Sequence, residues 1–196
     1  MSEHHKNELR DAVLRKIGRN LVNFQRFERM LKLVIVRSDV RGCASKLAKV
    51  YGDRAKDTDR KPLGWLVEEF FKTIYSNEAS NDNSPNELDE VWMSIFVRID
   101  SDNDSIRNRK RELSELVAER NWLIHGSLAD LDLDSVDNCK KLLSMLDEQD
   151  DRLKPHYLSL MCFIGNIQVA QQELFKQLEA HLRESLREGY VTERPR

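Results

Sequence analysis

Two long stretches of this chain carry apolar residues at steps of three and four positions, and that spacing restricts the folds open to it. The first stretch covers residues 7–37, with the stripe Leu14, Ile17, Leu21, Phe24, Leu31 and Ile35. The second follows Pro155, with the stripe Leu160, Ile164, Ile167, Leu174, Leu178 and Leu182. Helices of this length bury their apolar faces against other helices. With only seven glycines and four prolines in 196 residues, the sequence therefore predicts an all-α fold.

Shorter patterns supply further helices between these two stretches. A short helix is predicted over 39–51, with Gly52 as its stop and 53–61 as a solvated connector. The clearest stripe follows Pro62, which suits the first turn of a helix. Its apolar residues are Leu63, Leu66, Val67, Phe70, Phe71, Ile74 and Tyr75.

The second half of the chain is also predicted to be helical. One helix covers 104–124, capped by the turn at 101–104 and stopped by Gly126. Its inward residues are Ile106, Leu113, Leu116, Val117, Leu123 and Ile124. A further helix begins near Ser135, and Pro155 either kinks a long helix or begins a new one.

One segment has a different periodicity. Residues 93–99 alternate apolar and polar side chains, which indicates a strand, and they follow a polar, turn-rich segment at 76–90. A strand needs a partner, which would be an unidentified segment or a second protomer. The predicted architecture is a single domain over 1–189, an up-and-down bundle of about five or six helices with a short β segment near 91–99. Gly189 ends its last helix, and a frayed tail follows over 190–196.

The composition excludes several classes of protein. No apolar run approaches the ~18–20 residues of a membrane span, and the charged N-terminal segment does not resemble a signal peptide. The three cysteines are widely spaced and lack a C-x-x-C pairing. They indicate buried or idle thiols in a reducing compartment. We therefore expect a cytoplasmic protein.

Charge is distributed unevenly along the chain. The net charge is −2, but residues 1–61 carry 16 basic and 8 acidic residues, a balance of +8. The remainder carries 16 basic and 26 acidic residues, a balance of −10. The basic third could steer a nucleic acid to one side of the molecule. It could equally bind the acidic part of its own fold or of a partner.

One segment combines residue types that are suited to cleaving an RNA backbone. Arg120, Asn121 and His125 lie close together at the predicted end of a helix. Arginine offers a planar fork of donors to a phosphate, and histidine moves a proton near neutral pH. His125 could transfer the proton while a ribose 2′-hydroxyl attacks the adjacent phosphorus, and Arg120 could stabilise charge on the phosphoryl oxygens. Asn121 could orient the histidine or hold a phosphate oxygen. This chemistry needs no metal and no cofactor.

Helix geometry limits how these side chains can meet. Five positions of an ideal helix correspond to about 500° of rotation, which leaves Arg120 and His125 about 140° apart. Either the helix unwinds at His125-Gly126, or two copies of it face each other across a homodimer. The alternative without catalysis is that Arg120 pairs with a glutamate such as Glu115 and that His125 caps a helix end. Spacing alone favours this alternative.

The segment Arg120–His125 resembles the R-x4-6-H motif of HEPN domains, which often carry a polar residue, frequently asparagine, after the arginine. The resemblance implies a bundle of about four or five helices, often dimeric, with metal-independent endoribonuclease activity and a role as a bacterial toxin or antiphage effector. It implies that Arg120 and His125 are catalytic and that Asn121 supports them. The implied partners are RNA, a second copy of the chain and an antitoxin or regulatory protein. Gly126-Ser127-Leu128 stands where members paired with a nucleotidyltransferase antitoxin often carry a tyrosine, which argues against that class of partner.

Three residues near the motif are candidates for binding the substrate. Arg109 and Lys110 could hold flanking phosphates, and Trp122 could stack a base. The alternatives are a solvated helix face for the two cations and a core position for the tryptophan. Some HEPN domains have no catalytic role, so a non-catalytic interaction or regulatory module is the second functional hypothesis. It would use the long apolar stripes for assembly.

Overall fold

The computed structural model describes residues 3–75, 92–126 and 132–192. Within these ranges it contains five α-helices and one two-stranded sheet. The helices are α1 (Glu3–Ser38), α2 (Leu47–Asp59), α3 (Leu63–Tyr75), α4 (Asn103–Asn121) and α5 (Val136–Thr192). The strands are β1 (Asp39–Cys43) and β2 (Trp92–Phe96), and a π-helical turn, Trp122–Gly126, continues α4. The prediction of an all-α bundle with a short β segment is confirmed. No helix in the described ranges is long and apolar enough to cross a membrane.

The two long stripes pack against each other as α1 and α5. Their contacts advance in the same direction along both helices, from Lys16 with Asp147 to Asn23 with Asp150, so the two helices run parallel. The seven apolar residues predicted to face inward on α3 are all buried. They form the main core together with the apolar faces of α1, α4 and α5.

A second, smaller cluster lies towards the start of α1. Its buried members are Val13, Ile17, Leu123, Cys139, Leu142 and Leu146. They come from α1, from the π turn and from the first part of α5. This cluster therefore holds the end of α4 against the two long helices.

The prediction for residues 39–61 is wrong in its details. Residues 39–43 form β1, which pairs antiparallel with β2 in a register that places Val40 opposite Ile95. The helix begins only at Leu47 and continues through Gly52 to Asp59. A Cβ at Gly52 would meet nothing within 4 Å, so this glycine costs helix stability, about 1 kcal/mol relative to alanine, without forcing a stop.

The strand expected at 93–99 is confirmed as β2, although it covers only Trp92–Phe96, and its partner lies in the same chain. The expected cap of α4 is also confirmed, since the backbone N–H of Ser105 donates to the carboxylate of Asp102 at 2.7 Å. Two other predictions are wrong. Ile124 is 37% exposed, and α5 continues past Gly189 to Thr192.

The helix α5 is continuous across Pro155, so no new helix begins there. The predicted turn-rich segment at 76–90 lies outside the described residues. So do residues 127–131, which include Ser127 and Leu128 after the motif, and the last residues of the predicted tail, 193–196.

Candidate functional site

The predicted motif lies where α4 passes into the π turn Trp122–Gly126. Hydrogen bonds of a π turn close over five residues rather than four, so the turn is wider than an α turn and brings residues five apart closer to one face. The separation between Arg120 and His125 is therefore smaller than the about 140° of an ideal α-helix. The structure shows a wider turn that begins at Trp122 rather than an unwinding at His125-Gly126. Single π turns of this kind are frequent at functional sites.

One buried leucine holds the π turn in place. Leu123 is 0% exposed and packs in the smaller core cluster with residues of α1 and α5. Its neighbours point outward, since Trp122 is 41% exposed, Ile124 is 37% exposed and His125 is exposed. The turn thus presents both an imidazole and an indole to solvent. Trp122 is not a core residue.

Arg120 is half-buried beside α1. Its Nη1 donates to Asn121 Oδ1 at 3.1 Å, and its Nη2 lies 3.9 Å from Glu28 Oε2. Arg120 thus has a glutamate partner, as the alternative without catalysis expects, but this partner is Glu28, since Glu115 pairs with Arg152 at 3.2 Å. The side-chain oxygen of Asn121 accepts from Arg120, so its contact in this structure is with the arginine rather than with His125.

Glu28 links the arginine to a second cation. Glu28 Oε1 lies 3.0 Å from Lys32 Nζ, and the same Nζ donates to the backbone oxygen of Asp59 at 2.8 Å. A row of alternating charge therefore crosses α4, α1 and the end of α2, in the order Arg120, Glu28, Lys32 and Asp59. The spacing of Glu28 and Lys32, four positions apart, predicts an ion pair. Nothing local in the sequence indicates that this pair would face α4.

The residue before Arg120 is tied into a buried polar network. Glu119 accepts from Arg152 Nη1 at 2.6 Å and from Gln149 Nε2 at 3.2 Å. The Gln149 oxygen in turn accepts from Asn20 Nδ2 at 3.0 Å, and both of these amide side chains are 1% exposed. Buried groups with satisfied hydrogen bonds hold one arrangement. The network therefore fixes the rotation of the last turn of α4, and with it the direction of Arg120.

The structure does not bring Arg109 and Lys110 to the motif. Arg109 Nη1 donates to the hydroxyl of Tyr75 at 3.3 Å, and Lys110 Nζ lies 2.5 Å from Glu68 Oε2. Both partners belong to α3, and Lys110 lies about 15 Å along the helix from Arg120. These two cations stabilise the contact between α3 and α4.

An exposed tryptophan that the sequence argument missed lies at the start of α3. Trp65 is 37% exposed, and Lys61 Nζ lies 5.3 Å from the centroid of its ring. A Cβ at the preceding Gly64 would lie 3.8 Å from Val117 Cγ1, so the start of α3 lies against α4 one turn before Arg120. Trp65 is absent from the apolar stripe of α3, and that off-stripe position is the signal that could have identified it.

Comparisons with known proteins add no relative. No family model matches the chain, and neither the curated proteins nor the solved structures contain a match. The function is therefore inferred from the side chains around Arg120 and His125.

Proposed function

We propose that this protein is a metal-independent endoribonuclease of HEPN type. The observation that supports the proposal is the π turn after α4, on which His125 is exposed five positions after Arg120. An exposed imidazole can exchange a proton with a substrate. A neighbouring guanidinium can bind the phosphate on which the proton transfer acts.

The reaction is an attack of the ribose 2′-oxygen on the adjacent phosphorus. The O2′–P bond forms, the P–O5′ bond breaks, and His125 takes the proton of the 2′-hydroxyl. The departing O5′ receives a proton from a second imidazole or from water. The products are a 2′,3′-cyclic phosphate, which can open to a 3′-phosphate, and a 5′-hydroxyl.

Arg120 stabilises the charge that builds on the non-bridging phosphoryl oxygens. Its separation of 3.9 Å from Glu28 exceeds the length of a hydrogen bond. Glu28 thus attracts and orients the guanidinium, and Arg120 Nη2 remains able to donate a hydrogen bond to a phosphate. Asn121 steadies the same guanidinium through the bond from Arg120 Nη1.

A homodimer would supply the second imidazole. The residues beside His125 favour self-association, because Trp122 and Ile124 expose apolar surface at the same turn. Exposed apolar patches often mark interfaces. In this arrangement two copies of the turn face each other across one phosphodiester, with one imidazole as base and the other as acid.

The proposal is tested by cleavage of a single-stranded RNA in the presence of EDTA. The wild type should cleave, and His125→Ala and Arg120→Ala should each lower the rate by at least about 100-fold. The matched controls are His5→Ala, an exposed histidine on α1, and Arg111→Ala, an exposed arginine on α4. Equal cleavage by the wild type and both site variants, cleavage by none, or products with a 3′-hydroxyl end would reject the proposal.

A role as a toxin or antiphage effector is the biological form of this proposal, and it rests on the HEPN resemblance alone. Expression of the wild type in bacteria should then arrest growth unless an antitoxin or regulatory protein restrains it. Expression of His125→Ala should be harmless. Equal growth of both strains, with soluble protein in each, would count against an active toxin.

One observation favours the alternative of a non-catalytic interaction module. On α5, Leu158, Met161 and Val169 are 60%, 50% and 66% exposed, and their spacing places them near one face of the helix. If that face assembles with a partner, Met161→Glu should abolish the cellular function while Arg120→Ala leaves it intact. The nuclease proposal predicts that Arg120→Ala abolishes it.

A further inference from the structure

A groove with a volume of about 370 Å³ lies between α1 and α2. Its basic residues are Arg29, Lys32 and Lys56, its apolar residues include Leu33 and Val36, and Asp59 lies at one end. Both helices belong to the basic third of the chain, residues 1–61, whose charge balance is +8. The groove therefore lies on the side of the molecule that a polyanion would approach.

Two of these cations are not neutralised within the fold. Arg29 and Lys56 have no ion-pair or hydrogen-bond partner among the described residues. The cations of α4 differ, since Arg109 and Lys110 bind side chains of α3. Cations that stabilise a fold are usually satisfied within it, whereas cations that bind phosphates remain available at the surface.

The groove continues to the candidate site. Lys32 lines the groove and lies 3.0 Å from Glu28, whose other oxygen lies 3.9 Å from Arg120. Asp59 lies at this same end, since its backbone oxygen accepts from Lys32 Nζ at 2.8 Å, and Lys61 with Trp65 follows at the junction of α2 and α3. The end of the groove at Lys32 is thus the one that adjoins Arg120, with Glu28 between the two cations, and α3 with its exposed indole begins shortly after Asp59.

We propose that this groove binds the backbone of single-stranded RNA and that Trp65 stacks one of its bases. Arg29 and Lys56 contact phosphates, whereas Lys32 is held by Glu28 and Asp59 at the end of the groove. Leu33 and Val36 lie under the riboses. Cationic grooves with an aromatic platform bind single strands without reading their sequence. This inference rests on the proposed nuclease for the identity of the ligand as RNA, but binding is measured separately from cleavage.

The binding experiment uses the full-length His125→Ala protein and a labelled, 2′-O-methylated RNA of about twelve nucleotides, which cannot be cleaved. Fluorescence anisotropy at several salt concentrations gives the affinity and its salt dependence. Arg29→Gln with Lys56→Gln should weaken binding by at least about tenfold, because two phosphate contacts are lost. The slope of log affinity against log salt should fall by about 1.4, at about 0.7 per phosphate for a single strand.

A control pair removes the same charge elsewhere. Lys6→Gln with Lys72→Gln changes two exposed lysines, on α1 and α3, that also have no partner among the described residues. This pair should change the affinity by less than about twofold and leave the salt slope unchanged. Equal losses of affinity in the two double variants would show that binding depends only on net charge and would overturn the groove proposal.

The stacking contact is tested at Trp65. Trp65→Ala should weaken RNA binding by about tenfold or more, and Trp65→Phe should retain most of the affinity, because a phenyl ring also stacks on a base. Equal affinities of Trp65→Ala and the wild type would remove Trp65 from the site. In cleavage assays the Arg29→Gln, Lys56→Gln protein should show a raised KM with little change in kcat.

The outcomes separate the two proposals. RNA binding that depends on the groove, without any cleavage, would support the groove proposal and reject the nuclease proposal. Cleavage with a KM that is unchanged in the Arg29→Gln, Lys56→Gln protein would reject the groove proposal alone. Absence of RNA binding by the protein with an unchanged groove would also overturn the groove proposal. Displacement of the RNA by polyglutamate at an equal charge concentration would assign the groove to an acidic protein partner instead.

Discussion

The substitution Leu123→Ala tests whether one buried side chain holds the π turn and therefore the position of His125. Leu123 is 0% exposed and its neighbours Val13 and Leu146 are 0% exposed as well. Replacing leucine by alanine removes three carbon atoms, which corresponds to about 2.4 kcal/mol at about 0.8 kcal/mol per buried methylene. The cavity left behind adds to this, and fully buried leucines lose about 2–5 kcal/mol in all. The cluster is small and can partly collapse, so we expect a loss of about 2.5–4 kcal/mol.

The assay is urea denaturation followed by circular dichroism, with Ile124→Ala as the control. Ile124 is the next residue, is 37% exposed and belongs to neither core cluster. Its replacement should cost no more than about 1 kcal/mol. With a slope of about 2 kcal/mol per molar urea, Leu123→Ala should unfold at about 1.5 M less urea than the wild type. Equal losses for the two variants would show that Leu123 does not anchor the turn.

Three further predictions concern the frame around the site. Asn20→Ala removes the donor to Gln149 Oε1 and to the Leu146 carbonyl and should lower the free energy of unfolding by about 1–3 kcal/mol; a loss near zero would show that water replaces the amide. Gly52→Ala places a methyl group in open space within α2 and should stabilise the protein by about 0.5–1 kcal/mol, seen as a higher Tm; a lower Tm would contradict the helical geometry. Burial lowers the pKa of His156 despite the nearby Glu112. The unfolded chain therefore takes up the proton first as the pH falls below the ordinary value of 6.5, and stability should decrease there. In His156→Gln this decrease should be smaller; an unchanged pH profile would exclude His156 as its source.

The parts of the fold that depend on local periodicity could be predicted from the sequence. The stripe of α3 is buried at each of its seven apolar positions, because an amphipathic helix needs only one partner surface. The strand β2 could also be recognised from its alternation. Its partner could not, since the pairing of Val40 with Ile95 joins segments far apart in sequence, and the alternation of residues 39–43 includes only one large apolar residue at a buried position, Val40.

The position of the motif at the end of a helix was predictable, but its neighbours in the fold were not. The motif indicates Arg120 and His125, and the cap at Asp102 and the helix leading to them follow from local signals. The contact of Arg120 with Glu28 depends on how α4 packs against α1, which no local pattern encodes. The outward position of Ile124 has a similar cause, because the π turn shifts the residues after Asn121 away from the α-helical stripe.

The central claim is that Arg120 and His125 act together on one phosphodiester. The most direct test is a double-mutant cycle of cleavage rates in EDTA with Arg120→Ala, His125→Ala and the variant that carries both changes. Residues that act as one unit are strongly non-additive, so the double variant should be about as slow as the slower single variant. The 2′,3′-cyclic phosphate product should form correspondingly slowly in all three. The account would be contradicted if the fold-loss of rate in the double variant equalled the product of the two single fold-losses. It would also be contradicted if the double variant formed cyclic phosphate at the wild-type rate.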